Sequence, residues 1–232
     1  LYKDFAHKID IIAPMQKIGE VTAYDDIPVS EDVLYSRASD ADVIILSIHQ
    51  LRNAFIERIK NLKLIQFMGI GYRNYMDEDF CASKGIKALG IGEYGSNAVA
   101  EYALGLALAL FRGIVEGDRR LKKEVWDMQG LLGREIAGST FGIVGTGAIG
   151  RLVAQKAAML GARVIAHDLV ENTELVERHQ VEYVDLETLF ATSDLVSCHL
   201  THTKATEKLV SGELLSSMKA GAFFVNTSRA QV

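Results

Sequence analysis

Phe141-Gly142-Ile143-Val144-Gly145-Thr146-Gly147-Ala148-Ile149-Gly150 is the stretch that decides the fold. Its apolar run reads as a buried strand. The glycine string then opens a helical pattern from Ala148 to Leu160, which Gly161 can cap. A G-x-G-x-x-G string alone says little, but between a strand and a helix it has the context that phosphate binding requires. Gly145 permits the tight turn, Gly147 lets backbone approach a pyrophosphate without a Cβ in the way, and Gly150 lets helix and strand pack closely. The pyrophosphate would rest on free N–H groups of the turn, with Ala148 and Ile149 in the first helical positions, at the positive end of the helix dipole. The next strand, Arg163 to Ala166, runs into His167-Asp168. An acidic side chain about 20 positions past the glycines can accept hydrogen bonds from an adenosine ribose, and its charge repels a 2′-phosphate. Asp168 therefore points to NAD rather than NADP, and His167 reads as a pocket-lining neighbour. The plain alternative is a glycine turn with an Asp capping the next loop, and the strand–turn–helix context weighs against it.

Outward from this unit, short β-rich runs alternate with helical patterns, the signature of βαβ units and a parallel sheet. Leu195–His199 and Ala222–Asn226 read as later strands, each after a helical segment. Upstream, Val43–Leu46 and Leu64–Phe67 read as buried strands around a helical spacing at Leu51–Leu62, with a weaker strand at Glu20–Tyr24 and a helix-like opening at Leu1–Ile11. Val99–Phe111 is an Ala/Leu-rich helix, so apolar that burial between domains or subunits is expected. Arg119, Arg120, Lys122 and Lys123 read as a solvated helix face. The change of texture near residue 98 predicts two α/β domains, 1–98 and 99–232.

Composition narrows the function. The 232 residues are 49% hydrophobic and 24% charged, which excludes a disordered chain. A net charge of −5 without a basic stripe argues against nucleic acid. The longest charge-free helical stretch, Tyr102–Phe111, is far short of the roughly 20 residues of a membrane span. Lys3, Asp4, His7, Lys8 and Asp10 interrupt any signal-peptide core, and Cys81 and Cys198 read as buried thiols of a reducing compartment. A cytoplasmic protein is expected, with no metal site. His199 and His202 close a strand at the ligand edge of an α/β sheet and read as lining residues before bases.

One ordered set runs through the sequence: Gly69-Ile70-Gly71-Tyr72 with Asn74, Val99-Ala100-Glu101, Arg112, Trp126, Gly138, the three glycines with Asp168, His199-Leu200-Thr201, and Met218-Lys219-Ala220-Gly221-Ala222 leading to Asn226-Thr227-Ser228-Arg229. Taken in order, these motifs resemble the D-isomer-specific 2-hydroxyacid dehydrogenase family over nearly the whole chain. The resemblance implies a Rossmann NAD-binding domain behind a flavodoxin-like substrate domain, both incomplete, with the active site in the cleft between them. It also implies NAD as cofactor, a small 2-keto or 2-hydroxy acid as substrate, and a homodimer.

Carried over residue by residue, Arg229 matches the family arginine that binds the substrate carboxylate and carbonyl oxygen. A planar guanidinium fork suits both tasks. Ile70 and Gly71 match the loop whose backbone N–H groups hold the carboxylate, and His199 and Thr227 fall in the cofactor-lining segments. Arg73 stands where an acidic residue is common, Ala230 where glycine is usual, and Thr201-His202 and Ala220 where proline is frequent. The family's general acid/base histidine and its orienting glutamate lie downstream of the arginine, whereas the sequence stops at Val232. That pattern is expected of a chain truncated at its C-terminus, with Phe223-Phe224-Val225 near an uncovered apolar sheet edge. Two other readings stay open: an NAD-sensing binding protein like the C-terminal binding protein corepressors, and an NAD-binding fragment without catalysis.

Overall fold

The computed structural model describes residues 12–24, 26–92 and 94–232, so the helix-like Leu1–Ile11 stretch lies outside the described residues. The chain divides into two compact units, Leu1–Tyr94 and Gly95–Val232.

Among the described residues the first unit holds a three-stranded parallel sheet of β1 (Val43–Leu46), β2 (Leu64–Phe67) and β3 (Lys87–Leu89), with β2 central. The helical spacing at Leu51–Leu62 forms regular helix only over Asn53–Glu57. Its apolar positions Leu51, Phe55, Ile56, Ile59 and Leu62 are nonetheless all buried in this unit's core, so the pattern tracks burial better than helix length. Glu20–Tyr24 is irregular and mostly exposed rather than a strand. An apolar–polar alternation makes a strand only where a neighbouring strand offers its ladder.

The second unit is a five-stranded, wholly parallel sheet of β4 (Thr140–Val144), β5 (Arg163–His167), β6 (Glu182–Tyr183), β7 (Leu195–Cys198) and β8 (Phe223–Asn226). The order is β6-β5-β4-β7-β8. This is the doubly wound arrangement, whose ligand crevice opens at the carboxyl ends of the strands where the order reverses, here between β4 and β7. Those two strands pair from Phe141↔Leu195 to Val144↔Cys198, and all four β7 residues are buried, as helices on both faces require.

The apolar helix runs Ser96–Arg112. It buries Ala100, Ala103, Leu104, Ala107 and Phe111, a single stripe at helical spacing, in its own unit's core. Its other side carries Tyr102, Leu108 and Leu110, all exposed within this single chain. Phe111 lies 5.7 Å from Phe141 and 5.6 Å from Phe223 between ring centroids. Gly113, at φ 62°, ends this helix in the left-handed region, and the next helix, Ile114–Leu121, departs at 64°. The basic run lies on and just after that helix as a solvated face. Arg119 and Arg120 both bind Glu116, at 2.7 and 2.8 Å, and Lys122 binds Asp118 at 2.7 Å. β8 is an edge strand, but its phenylalanines are not bare: Phe223 packs in one core cluster and Phe224 against another, because alternate residues face opposite sides of the sheet. No single helix among the described residues is long and apolar enough to cross a membrane.

Candidate functional site

The glycine turn stands at the reversal point. Gly145 adopts φ +89°, and a Cβ there would lie 3.2 Å from backbone atoms of His199 and Leu200, so β4 and β7 meet too closely for a side chain. A Cβ on Gly150 would run into the Gly145 carbonyl oxygen. Gly147 differs: it precedes the Ala148–Met159 helix in extended conformation, and nothing lies within 4 Å of where its Cβ would stand. No side chain caps this helix, and the Ala148 and Ile149 N–H groups have no partner among the described residues. Free donors, open space and a positive helix end together fit a pyrophosphate.

Asp168 sits across the turn at the tip of β5. Its Oδ2 accepts from the Thr146 N–H at 2.6 Å and from the Thr146 hydroxyl at 3.0 Å, and its Oδ1 accepts from the Leu169 N–H at 2.7 Å. Beside it opens a cavity of about 570 Å³ lined by His167, Asp168, Glu171, Tyr183 and Asp185 among others. His167 Nδ1 is 2.9 Å from the Val184 carbonyl oxygen, and three carboxylates make the cavity negative. The Thr188 backbone N–H beside Asp185 holds its carboxyl below the usual range, so that charge persists at neutral pH.

Beyond β7 and β8 a third group gathers. His199 places Nε2 2.8 Å from Ser197 Oγ and Nδ1 3.2 Å from Thr227 Oγ1. Burial pushes its pKa down to about 4, so the ring is neutral at pH 7. Ser228 donates to the Leu200 carbonyl, Asn226 Oδ1 accepts from the Ser228 N–H at 2.8 Å, and Asn226 Nδ2 donates to the Arg229 carbonyl at 3.0 Å. This lattice of short bonds holds the backbone from which Arg229 projects. The guanidinium is exposed and pairs with no carboxylate among the described residues. The structure thus brings Gly145, Gly147, Ala148, Ile149, Gly150, Asp168, His199, Thr227 and Arg229 to one edge of one sheet.

Ile70 and Gly71 belong to the first unit, in the loop after β2. Neither N–H has a hydrogen-bond partner among the described residues. The loop is tightly held: a Cβ on Gly90 would stand 2.8 Å from the Gly69 carbonyl oxygen, and Asn74 Nδ2 donates to the Gly71 carbonyl at 3.2 Å. Arg73 is committed to Glu78 at 2.6 Å, and Tyr72 donates to the same carboxylate at 2.6 Å. These two bonds, Tyr72 first, hold the Glu78 carboxyl below its ordinary range. Sequence reasoning missed Thr146, Tyr183, Asn172 and Ser197, whose parts depend on partners distant in the chain. A hydroxyl inside the glycine string was the one available signal.

Residues 104–232 match the family model for the D-isomer specific 2-hydroxyacid dehydrogenase, NAD binding domain. The chain is 38% identical over 201 residues to the hydroxypyruvate reductase of Thermotoga maritima, covering 86% of this chain and 64% of that one. It is 32% identical to the glyoxylate reductase of Korarchaeum cryptofilum, with 90% and 64% covered. Among solved structures, the D-lactate dehydrogenase of Aquifex aeolicus in complex with NAD and lactic acid is similar at a TM-score of 0.85 and 28% identity, with 97% and 67% covered. The chain therefore spans about two thirds of the length of these relatives.

Proposed function

Because the chain belongs to the D-isomer specific 2-hydroxyacid dehydrogenase family, we propose that it serves an NAD-dependent oxidoreductase interconverting a small 2-keto acid and the D-2-hydroxy acid. The observation that carries this reading is the pair of partner-free N–H groups at Ala148 and Ile149, facing open space over Gly147 with Asp168 across the turn. NADH, when bound, supplies the hydride that reduces the C2 carbonyl. Gly147, Ala148 and Ile149 would hold the pyrophosphate, and Asp168 the adenosine ribose.

On the substrate side, Arg229 would bind the carboxylate and polarise the carbonyl, developing its interaction as negative charge grows on the oxygen. In the first unit, the partner-free Ile70 and Gly71 N–H groups are a candidate pair of carboxylate donors. Arg73 is paired with Glu78 at 2.6 Å rather than left as a cation for a phosphate, which favours an unphosphorylated acid. The alkoxide also needs a proton. His199 is not its source: with a pKa near 4 it has none to give at neutral pH, and both ring nitrogens are engaged. His199 and Thr227 instead support the loop that carries Arg229.

A cytosolic homodimer is the setting for this reading. Two free, buried cysteines support the compartment, and the exposed apolar side chains Trp126, Met128 and Leu132 support a copy-to-copy contact. The relatives named above are reductases and dehydrogenases, which does not favour the partner-recruiting alternative. Calorimetric titration with NADH tests the cofactor reading directly, and NADH oxidation across a panel of keto acids tests the reaction. Failure to bind NADH refutes the proposal.

A further inference from the structure

A one-way chain of hydrogen bonds runs into the Asp168 carboxylate from outside the glycine turn. The Asn172 N–H lies 2.9 Å from the Tyr183 hydroxyl, which lies 2.9 Å from Thr146 Oγ1, which lies 3.0 Å from Asp168 Oδ2. Both ends are chemically forced, because a backbone amide nitrogen only donates and a carboxylate only accepts. Tyr183 must then donate to Thr146, and Thr146 to Asp168.

We infer that Thr146 and Tyr183 are positioning residues that aim Asp168 at the cofactor's ribose and set the preference for NAD over its 2′-phosphorylated form. A carboxylate offers about four acceptor sites. The Thr146 N–H, the Thr146 hydroxyl and the Leu169 N–H occupy three, which leaves one for a ribose hydroxyl. A 2′-phosphate has no comparable donor and adds charge beside Asp168, Glu171 and Asp185.

The relay is anchored at its far end. Asn172 also caps the Thr173–His179 helix by accepting from the Leu175 N–H at 3.1 Å. Tyr183 is held in register by β5, where it pairs with Ala166, two residues before Asp168. The carboxylate is therefore locked against the turn by elements on both sides, and the ordering cost of binding falls accordingly. This inference rests on the cofactor reading given above.

The test is calorimetric affinity for NADH and NADPH, measured on the full 232-residue chain. The proteins are wild type, Thr146→Val, Thr146→Ser, Tyr183→Phe and the Thr146→Val/Tyr183→Phe double variant. Thr146→Val is expected to weaken NADH by about tenfold and Tyr183→Phe by roughly threefold, each narrowing the NADH-to-NADPH ratio by about the same factor. Thr146→Ser keeps the hydroxyl and restores wild-type affinity. The double variant is no weaker than Thr146→Val, because both changes break one relay. The inference is overturned if NADH affinity stays within about twofold in both single variants, if NADPH weakens in parallel with NADH, or if the two losses multiply. If Thr146→Val does not fold, Tyr183→Phe decides by the same criteria. Wild-type protein that binds no NADH overturns the cofactor reading itself, and the relay's role with it.

Discussion

Replacing Gly147 and Gly150 by alanine, one at a time, should separate binding from packing within four residues of one turn. At Gly150 the new methyl meets the Gly145 carbonyl oxygen, a backbone atom that no side-chain rotation can move, so the helix must lift off β4. Overpacking of this kind costs about 1–3 kcal/mol. For a unit of this size, about 2 kcal/mol lowers the melting temperature by roughly 8 °C. At Gly147 the methyl meets nothing within 4 Å, and φ −65° with ψ −161° suits alanine. Alanine is a poorer helix N-cap than glycine, but it also restricts the unfolded chain by about 0.4–1 kcal/mol, so the two effects nearly cancel. Gly147→Ala should therefore melt within about 2 °C of wild type. Its methyl stands where a phosphate would approach the Ala148 and Ile149 N–H groups. Losing one charge-assisted bond of about 1.5–3 kcal/mol weakens NADH roughly ten- to a hundredfold. Scanning calorimetry and NADH titration on the same samples check both halves. A Gly147→Ala protein that keeps wild-type NADH affinity, or melts as early as Gly150→Ala, would refute the reasoning.

Three further outcomes follow from the same geometry. Phe111→Ala removes a ring that is 1% exposed and sits between Phe141 and Phe223, so urea titration should show a loss of about 3–5 kcal/mol. Arg229→Lys keeps the charge but loses the planar fork, and kcat/KM for keto acids should fall on the order of a hundredfold with little change in melting temperature. His199 has a folded pKa near 4, below its ordinary 6.5, so the unfolded chain takes up its proton first. Its contribution is present above pH 6.5 and is lost as pH falls towards 4, on the order of 3 kcal/mol in all. Urea midpoints should accordingly fall more steeply over that range in wild type than in His199→Asn.

The sequence by itself determined what depends on short-range rules. The apolar-rich four-residue runs Val43–Leu46, Leu64–Phe67 and Leu195–Cys198 mark strands, and these are strands of the structure, although Val43 and Ile45 of the first stay exposed where the sequence suggests burial. The spacing Gly145, Gly147, Gly150 is legible because each position answers a local steric demand, and Asp168 because a fixed number of residues returns the chain to the same sheet edge. Tertiary structure decided the rest, where two plausible partners had to meet or miss. Glu20–Tyr24 reads as a strand but joins no ladder among the described residues. Arg73, which stands where the family commonly has an acidic residue, is tied to Glu78 only because the short helix after its loop places that carboxylate against it. Tyr183 gave no sign of its part: it reaches Thr146, 37 residues away, only because β6 pairs with β5 in the register Ala166↔Tyr183. A hydrogen bond across that separation depends on strand order and register, and these are settled only when the whole sheet closes around its core.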